Sequence, residues 1–328
     1  MSKLWAFFLP VMVAGALLTL AQVRLEVPRV VIEPPVIETR DRFLGVAVIG
    51  DVAWAVGKDG KIIRSEDAGK TWAQQATGLH INFQSIAAWD DQNAVVVANR
   101  GKGLVTSDGG KTWQEVVLPV AQGGSGKVLR VRLDPRGRAW AVSEINIIMR
   151  SVDRGRTWQR LTEADDDVAW NDIAFAGDDT ACVVGEFGRI ACSVDDGATW
   201  EPRESAVEPS LMSVVFRDSL NGLAVGLSGT VLATDDSGVS WRQVTVGDLD
   251  RHLFDVIWTG QRWVAVGDKG VMLTGDAEAS HWEIARVNPA DFAWHIALAQ
   301  QGDGFITVGL NVGRWADGQW QLFGPRFH

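Results

Sequence analysis

The chain has 328 residues, enough for about two average domains or one large β architecture, and 46% of them are apolar, which is ample for a packed core. A net charge of −10 argues against general nucleic-acid binding, which needs a basic footprint. Two cysteines, Cys182 and Cys192, exclude a disulfide framework or a Cys-rich zinc site, while 35 Gly, 16 Trp and no Tyr fit many short strands joined by tight turns.

Residues 1–23 read as a signal anchor or a signal peptide. Lys3 precedes an uncharged run from Leu4 to Ala21, at the lower edge of a membrane span and long for a signal-peptide core. Either reading carries the rest of the chain out of the cytoplasm, to the periplasm, tethered to the inner membrane or released there. No Cys follows the run, which excludes a lipoprotein. Residues 24–42 contain "VPRVVIEPPVIETR", a Pro-rich, semi-rigid spacer.

From Phe43 the chain repeats. Seven units can be anchored on Trp72, Trp113, Trp158, Trp200, Trp241, Trp282 and Trp320, at intervals of 41, 45, 42, 41, 41 and 38 residues. A period near 40 in Gly-rich, β-forming sequence predicts an all-β, single seven-bladed propeller over 43–323, with a short C-terminal tail at 324–328. Each unit reads as four strands. In blade 1 these are "FLGVAVIG", "VAWAVG", "KIIRS" and "TWAQQ", with "KDG" as a hairpin turn. The turn recurs as "VGEFGRI", "VGLSGTV" and "VGDKGVM", where glycines supply positive φ. Blade 3 has "VSEINII" instead, which predicts a wider or bulged turn.

The loop between the third and fourth strands is Ser/Thr-x-Asp-x-Gly-x-Thr/Ser-Trp. Five copies are intact, with Asp67, Asp108, Asp153, Asp195 and Asp236 paired to Trp72, Trp113, Trp158, Trp200 and Trp241. A short carboxylate there accepts backbone N–H bonds, hydroxyls satisfy others, and Trp fills the gap between outer strands. Blade 6, "GDAEASHW", and blade 7, "WADGQW", read as decayed copies. No second carboxylate recurs at fixed spacing, so no metal site is expected, and no cofactor.

These loops resemble the Asp-box, or bacterial neuraminidase repeat. Together with the "VGxxGxI" turn, from about Phe43 to Phe323, the chain is similar to the photosystem II stability/assembly factor family and its bacterial relatives. The resemblance implies a non-catalytic propeller that binds protein partners and helps to assemble a membrane complex, with an arginine patch engaged in partner binding; the single propeller is expected to be monomeric. Cyanobacterial members usually carry a lipoprotein Cys after the apolar run, and this chain departs from them there. The alternatives are an Asp-box glycosidase and an accessory subunit of an envelope transport complex. Sialidase chemistry needs a Tyr nucleophile and is excluded. No metal-binding helix motif, nucleophile elbow or phosphate loop is present.

Three features stand out from the repeats. Residues 127–160, in blade 3, carry nine basic residues against three acidic ones. The candidate patch is Arg136, Arg138, Arg150, Arg154, Arg156 and Arg160, either a docking surface or a solvated face balancing "EADDD" at 163–167. The turn "DPRGRAW" predicts that Arg136 and Arg138 are exposed at the rim. Counting back 25 to 28 residues from each Trp gives a column of Gly45, Ser85, Arg130, Asp172, Ser213, Asp255 and His295. Its polar members Arg130, Asp172, Asp255 and His295 are placed at the mouth of the central channel, as a small polar site or as acceptors for strand-start backbone. Arg132 lies beside it. Finally, Cys182 and Cys192 flank a hairpin turn symmetrically, and form a disulfide or a pair of buried thiols.

Overall fold

The computed structural model describes residues 35–120, 125–163 and 167–324. The N-terminal anchor or signal segment, most of the spacer and the last four residues lie outside the described residues. Within them, 28 strands form seven four-stranded antiparallel sheets, each made of four consecutive strands. Blade 1 comprises Phe43–Ile49, Val52–Gly57, Ile62–Ser65 and Ala73–Gln75. The other inner strands are Phe83–Ala88, Val128–Leu133, Trp170–Phe175, Leu211–Phe216, Leu253–Trp258 and His295–Gln301, so the protein is a seven-bladed β-propeller.

Burial explains the strand sequences. The second strands, such as AVVVA (Ala94–Ala98) and WVAVG (Trp263–Gly267), are buried along their whole length. Neighbouring blades cover both of their faces, so they read as continuous apolar runs rather than alternating ones. The outer strands have two to five residues and are largely exposed. The apolar side chains fall into seven clusters, each shared by two adjacent blades. One joins Phe43, Ala53 and Ile63 of blade 1 to Ala297, Ile306 and Val308 of blade 7. Among the described residues, no strand outside blade 7 enters the blade 7 sheet. The ring therefore closes by side-chain packing, with Phe323 wedged against Trp72 at 5.9 Å between ring centroids.

Two turns differ from their expectation. The blade 3 turn is not wider: Val142 pairs with Ile148, and Ser143 N donates to Ile147 O at 3.0 Å, as Gly185 N does to Arg189 O in blade 4. Asn146 (φ 55°) takes the left-handed step that Gly188 (φ 68°) takes there, and Asn is the non-glycine residue that best tolerates it. Blade 7 is shorter than its relatives. Its last hairpin turns on Asp317-Gly318 alone, both with positive φ, between the paired Ala316 and Gln319.

Candidate functional site

Every inner strand carries a β-bulge near its start, which leaves one residue unpaired and re-aims the next. Register shifts fall between Phe43 and Gly45, Phe83 and Ser85, Trp170 and Asp172, Leu211 and Ser213, and Leu253 and Asp255. In blade 7 the shift lies between His295 and Ala297. The aligned column thus ends at Ala297, not His295. Blade 7's shortened loops displace any count taken from Trp320. His295 instead occupies the apolar position of Phe43, buried edge-on to Trp320 at 5.5 Å and 3.7 Å from Asp291.

Three of the column residues accept hydrogen bonds from the backbone of the next blade. Ser85 Oγ accepts from Val131 N (3.3 Å), Asp172 Oδ2 from Val214 N (3.3 Å), and Asp255 Oδ2 from Leu298 N (2.9 Å). Asp172 and Asp255 are buried rather than set around an open mouth. Blade 3 supplies the counter-charges. Arg132 donates Nε and Nη2 to Asp172 at 3.1 and 2.7 Å, and Nη2 lies 3.4 Å from Asp255. Arg130 lies 3.4 Å from both carboxylates, and Ser213 Oγ bridges them at 2.9 and 2.7 Å. Asp255 belongs to blade 6, three blades on, so both guanidinium groups reach across the propeller axis. Burial alone would push the Asp172 carboxyl up, but Arg132 and Arg130 hold it below the ordinary range. Two arginines balance two aspartates, and the cluster is neutral. Ser213 and Arg132 complete it. A polar residue at the same column position in consecutive blades was the available signal for Ser213.

The arginine patch is arranged differently from its expectation. Arg138 is not an exposed rim residue: its side chain is 16% exposed, against 40% for Arg136. Arg138 donates to Asp134 at 2.6 Å and through both terminal nitrogens to Asp196 of blade 4, at 2.8 and 2.5 Å. Arg150 also reaches Asp196 (2.9 Å), and Arg150 and Arg138 cover the Trp140 ring at 5.0 and 5.6 Å. Arg136 pairs with Asp179 at 2.7 Å and lies 3.8 Å from Asp178. The hydrogen bond from Arg138 first, then the charges of Arg138, Arg150 and Arg136, hold the Asp196 carboxyl low. The turn in "DPRGRAW" matters because Asp134, itself buried, accepts from Arg138 N, Arg138 Nε and Trp140 Nε1. Arg154 is half-exposed, 3.9 Å from Asp90 of blade 2. Arg156 is exposed and donates to Asp153 O, and Arg160 bonds Thr162 O and lies 3.6 Å from Glu163. The acidic partners Asp178, Asp179 and Asp196 were missed; their signal was two Asp-Asp doublets in the repeat after the arginine-rich one.

The five intact loops share one geometry. In blade 1, Thr71 N and Thr71 Oγ1 donate to the two oxygens of Asp67 at 2.8 and 2.7 Å, and Ser65 Oγ donates to Asp67 at 2.9 Å while accepting from Gly69 N. Asp108, Asp153, Asp195 and Asp236 accept the same pair of bonds from Thr112, Thr157, Thr199 and Ser240. These bonds, led by those from Thr71, Thr112 and Thr199, hold Asp67, Asp108 and Asp195 at about 2. The loop glycine is required twice over. At Gly197 φ is +78°, and a Cβ there would stand 2.7 Å from the Trp140 ring of the preceding blade. Trp72, Trp113, Trp158, Trp200 and Trp241 each sit in the cluster between their own blade and the one before it. Blade 6 is not decayed in this respect. Ser280 N and Oγ donate to Asp276, both at 2.7 Å, and Trp282 Nε1 donates to Ala279 O. The one-residue insertion before Trp282 disguised the match. Cys182 and Cys192 are directly paired on neighbouring strands and joined by a disulfide.

Comparison with known proteins places this geometry. Residues 60–186 match the Sortilin-Vps10 family (sortilin, neurotensin receptor 3). Photosystem II assembly lipoprotein Ycf48 of Synechococcus sp. (strain CC9902) is 23% identical over 244 residues, covering 72% of each chain. This chain is similar to the photosystem II assembly factors. The chloroplastic stability/assembly factor HCF136 of Arabidopsis thaliana is 26% identical over 255 residues, 71% of this chain and 63% of its own. Among solved structures, YCF48 bound to D1 peptide superposes with a TM-score of 0.68 at 17% identity, over 82% of this chain and 89% of that one. Virginiamycin B lyase from Staphylococcus aureus reaches 0.72 at 10% identity, over 82% and 92%. A binding protein and a lyase share this architecture, so the fold by itself does not assign an activity.

Proposed function

We propose that this protein is a non-catalytic, extracytoplasmic propeller that binds a protein partner and assists the assembly or stability of a membrane protein complex. The similarity to proteins named as photosystem II assembly factors, over more than two thirds of the chain, carries this reading. The disulfide is in keeping with an oxidising compartment outside the cytoplasm. The N-terminal apolar run serves as the tether, or as a signal that is removed. The recurring loops act as Asp-boxes: their carboxylates are fully engaged within the loop and serve folding rather than chemistry.

Within this reading, partners meet the blade 3 arginines. Arg136, Arg154 and Arg156 reach solvent, while Arg138 and Arg150 are held inward by Asp196 and support them. The test is capture of the tagged, full-length protein from crosslinked membranes, with and without Arg136→Glu and Arg154→Glu. A membrane-protein partner should come with the native chain, its recovery should fall about 10-fold in the variant, and added salt should weaken it. Equal recovery by the variant removes the arginines from the interface. Failure to recover any reproducible membrane partner, or turnover of a glycan by the purified propeller, overturns the functional reading itself.

A further inference from the structure

The Cys182–Cys192 bond sits where blade 4 meets blade 5. Cys192 Sγ lies 3.4 Å from Gly238 O, and Cys182 Sγ 4.0 Å from Ser237 O, both in the blade 5 loop. A Cβ at Gly238 would lie 2.5 Å from Cys182 Sγ. The loop backbone therefore rests directly on the sulfur pair. Blade 2 has an apolar pair at the same place: Val95 and Val105 are directly opposed there, and Gly155 of the next blade rests on them. The seat needs two compact apolar groups, and a disulfide fills it without needing a change elsewhere.

The same bond ties the two chain segments that hold the arginines. Cys182 follows Asp179 by three residues, and Cys192 precedes Asp196 by four. Asp179 and Asp196 are the carboxylates that neutralise Arg136 and Arg138. We propose that the Cys182–Cys192 disulfide is a redox-sensitive joint: oxidised, it keeps the arginine patch paired with blade 4, and reduced, it releases the arginines for an acidic partner. The proposal rests on the arginine patch being the docking surface.

The chemistry balances as thiol–disulfide exchange. A thiolate of a dithiol reductant attacks one sulfur, the Cys182–Cys192 bond breaks, and a mixed disulfide forms. The second thiol of the reductant displaces it, so the dithiol leaves as a disulfide and both cysteines take up a proton and an electron. The bond is shielded by the blade 5 loop, so attack requires that loop to lift. Unbonded sulfurs must move apart to van der Waals distance, and Gly238 stands against them on one side. Asp179 and Asp196 flank the two strands that carry the sulfurs and are joined by a hydrogen bond from Asp196 N to Asp179 O at 3.0 Å, so a displacement there reaches both carboxylates together.

The test uses the full chain with dithiothreitol as the dithiol and poly-glutamate as the acidic probe. Maleimide trapping counts the thiols freed without denaturant. Reduction should free two thiols and raise poly-glutamate affinity about 10-fold, within the usual range of coupling between sites. Cys182→Val with Cys192→Val, which copies the blade 2 pair, should bind at the oxidised level whatever the reductant. Reduction without a change in affinity, or a bond that resists dithiothreitol until the chain unfolds, overturns the proposal. Arg136→Glu separates the two ideas. If it abolishes partner capture from membranes while redox state has no effect, the docking surface stands and the joint fails. If capture is untouched by Arg136→Glu, the docking surface itself is wrong.

Discussion

Replacing Asp172 by Ala should be among the most damaging single changes in this protein. Its side chain is fully buried and accepts from Arg132 twice, from Ser213, from Val214 N and from Ile173 N. Removing it strands Arg132 beside Asp255 alone and leaves Arg130 with one carboxylate instead of two. Breaking a buried pair from one side costs about 3–5 kcal/mol. The Arg132 side chain is 28% exposed and can recover some hydration, so the lower end, about 3 kcal/mol, is expected. Urea unfolding followed by Trp fluorescence would read it as a lower midpoint at unchanged slope. A companion variant isolates the charge effect. Arg130→Met, Arg132→Met, Asp172→Ser and Asp255→Ser removes all four charges together but keeps hydroxyl acceptors for Val214 N and Leu298 N. Ser85 already fills that role toward Val131 in blade 2. This quadruple variant should lose less than half of what Asp172→Ala loses, because no charge is left unpaired. A loss below about 1 kcal/mol for Asp172→Ala, or a quadruple variant worse than the single one, would refute the idea of a charge-balanced clamp across the axis.

Blade 6 offers a second check: Asp276→Ala and Asp153→Ala should each cost about 1–2 kcal/mol in the same urea assay, since each carboxylate accepts two bonds from the residue four positions on, and a loss confined to Asp153 would show that the blade 6 loop is decayed after all. Acid should unfold the propeller in a defined window. Asp67, Asp108 and Asp195 are held at about 2, so the unfolded chain takes up protons before the native one does. Their contribution to stability is complete above about pH 4 and is lost as pH falls toward 2. Thermal melts between pH 5 and 2 should show this decline, and a melting temperature flat across that range would contradict the bonding of the loop carboxylates.

The repeat made the blades legible because each unit must rebuild the same loop and bury the same Trp. The four-strand reading followed from turn glycines and continuous apolar runs, both of which are local. The position of His295 was misread for an equally local reason, since the loops of blade 7 are shorter and the count from Trp320 drifts. The arginines failed differently. A charge run within one blade says little about the surface, because each blade mates with the next. Arg132 meets Asp172 40 residues on, and Arg136 meets Asp179 43 residues on, each close to one repeat. A reader who lays each blade against its successor can find these pairs from sequence. Arg138 and Asp196, 58 residues apart, join the turn of one blade to the loop of the next and are harder to see. Arg130 and Asp255 stand 125 residues apart, three repeats on. No comparison of neighbouring blades exposes that contact. It exists only because seven blades close into a ring narrow enough for a guanidinium to reach across the axis, so ring closure brings the opposite charges of the centre together.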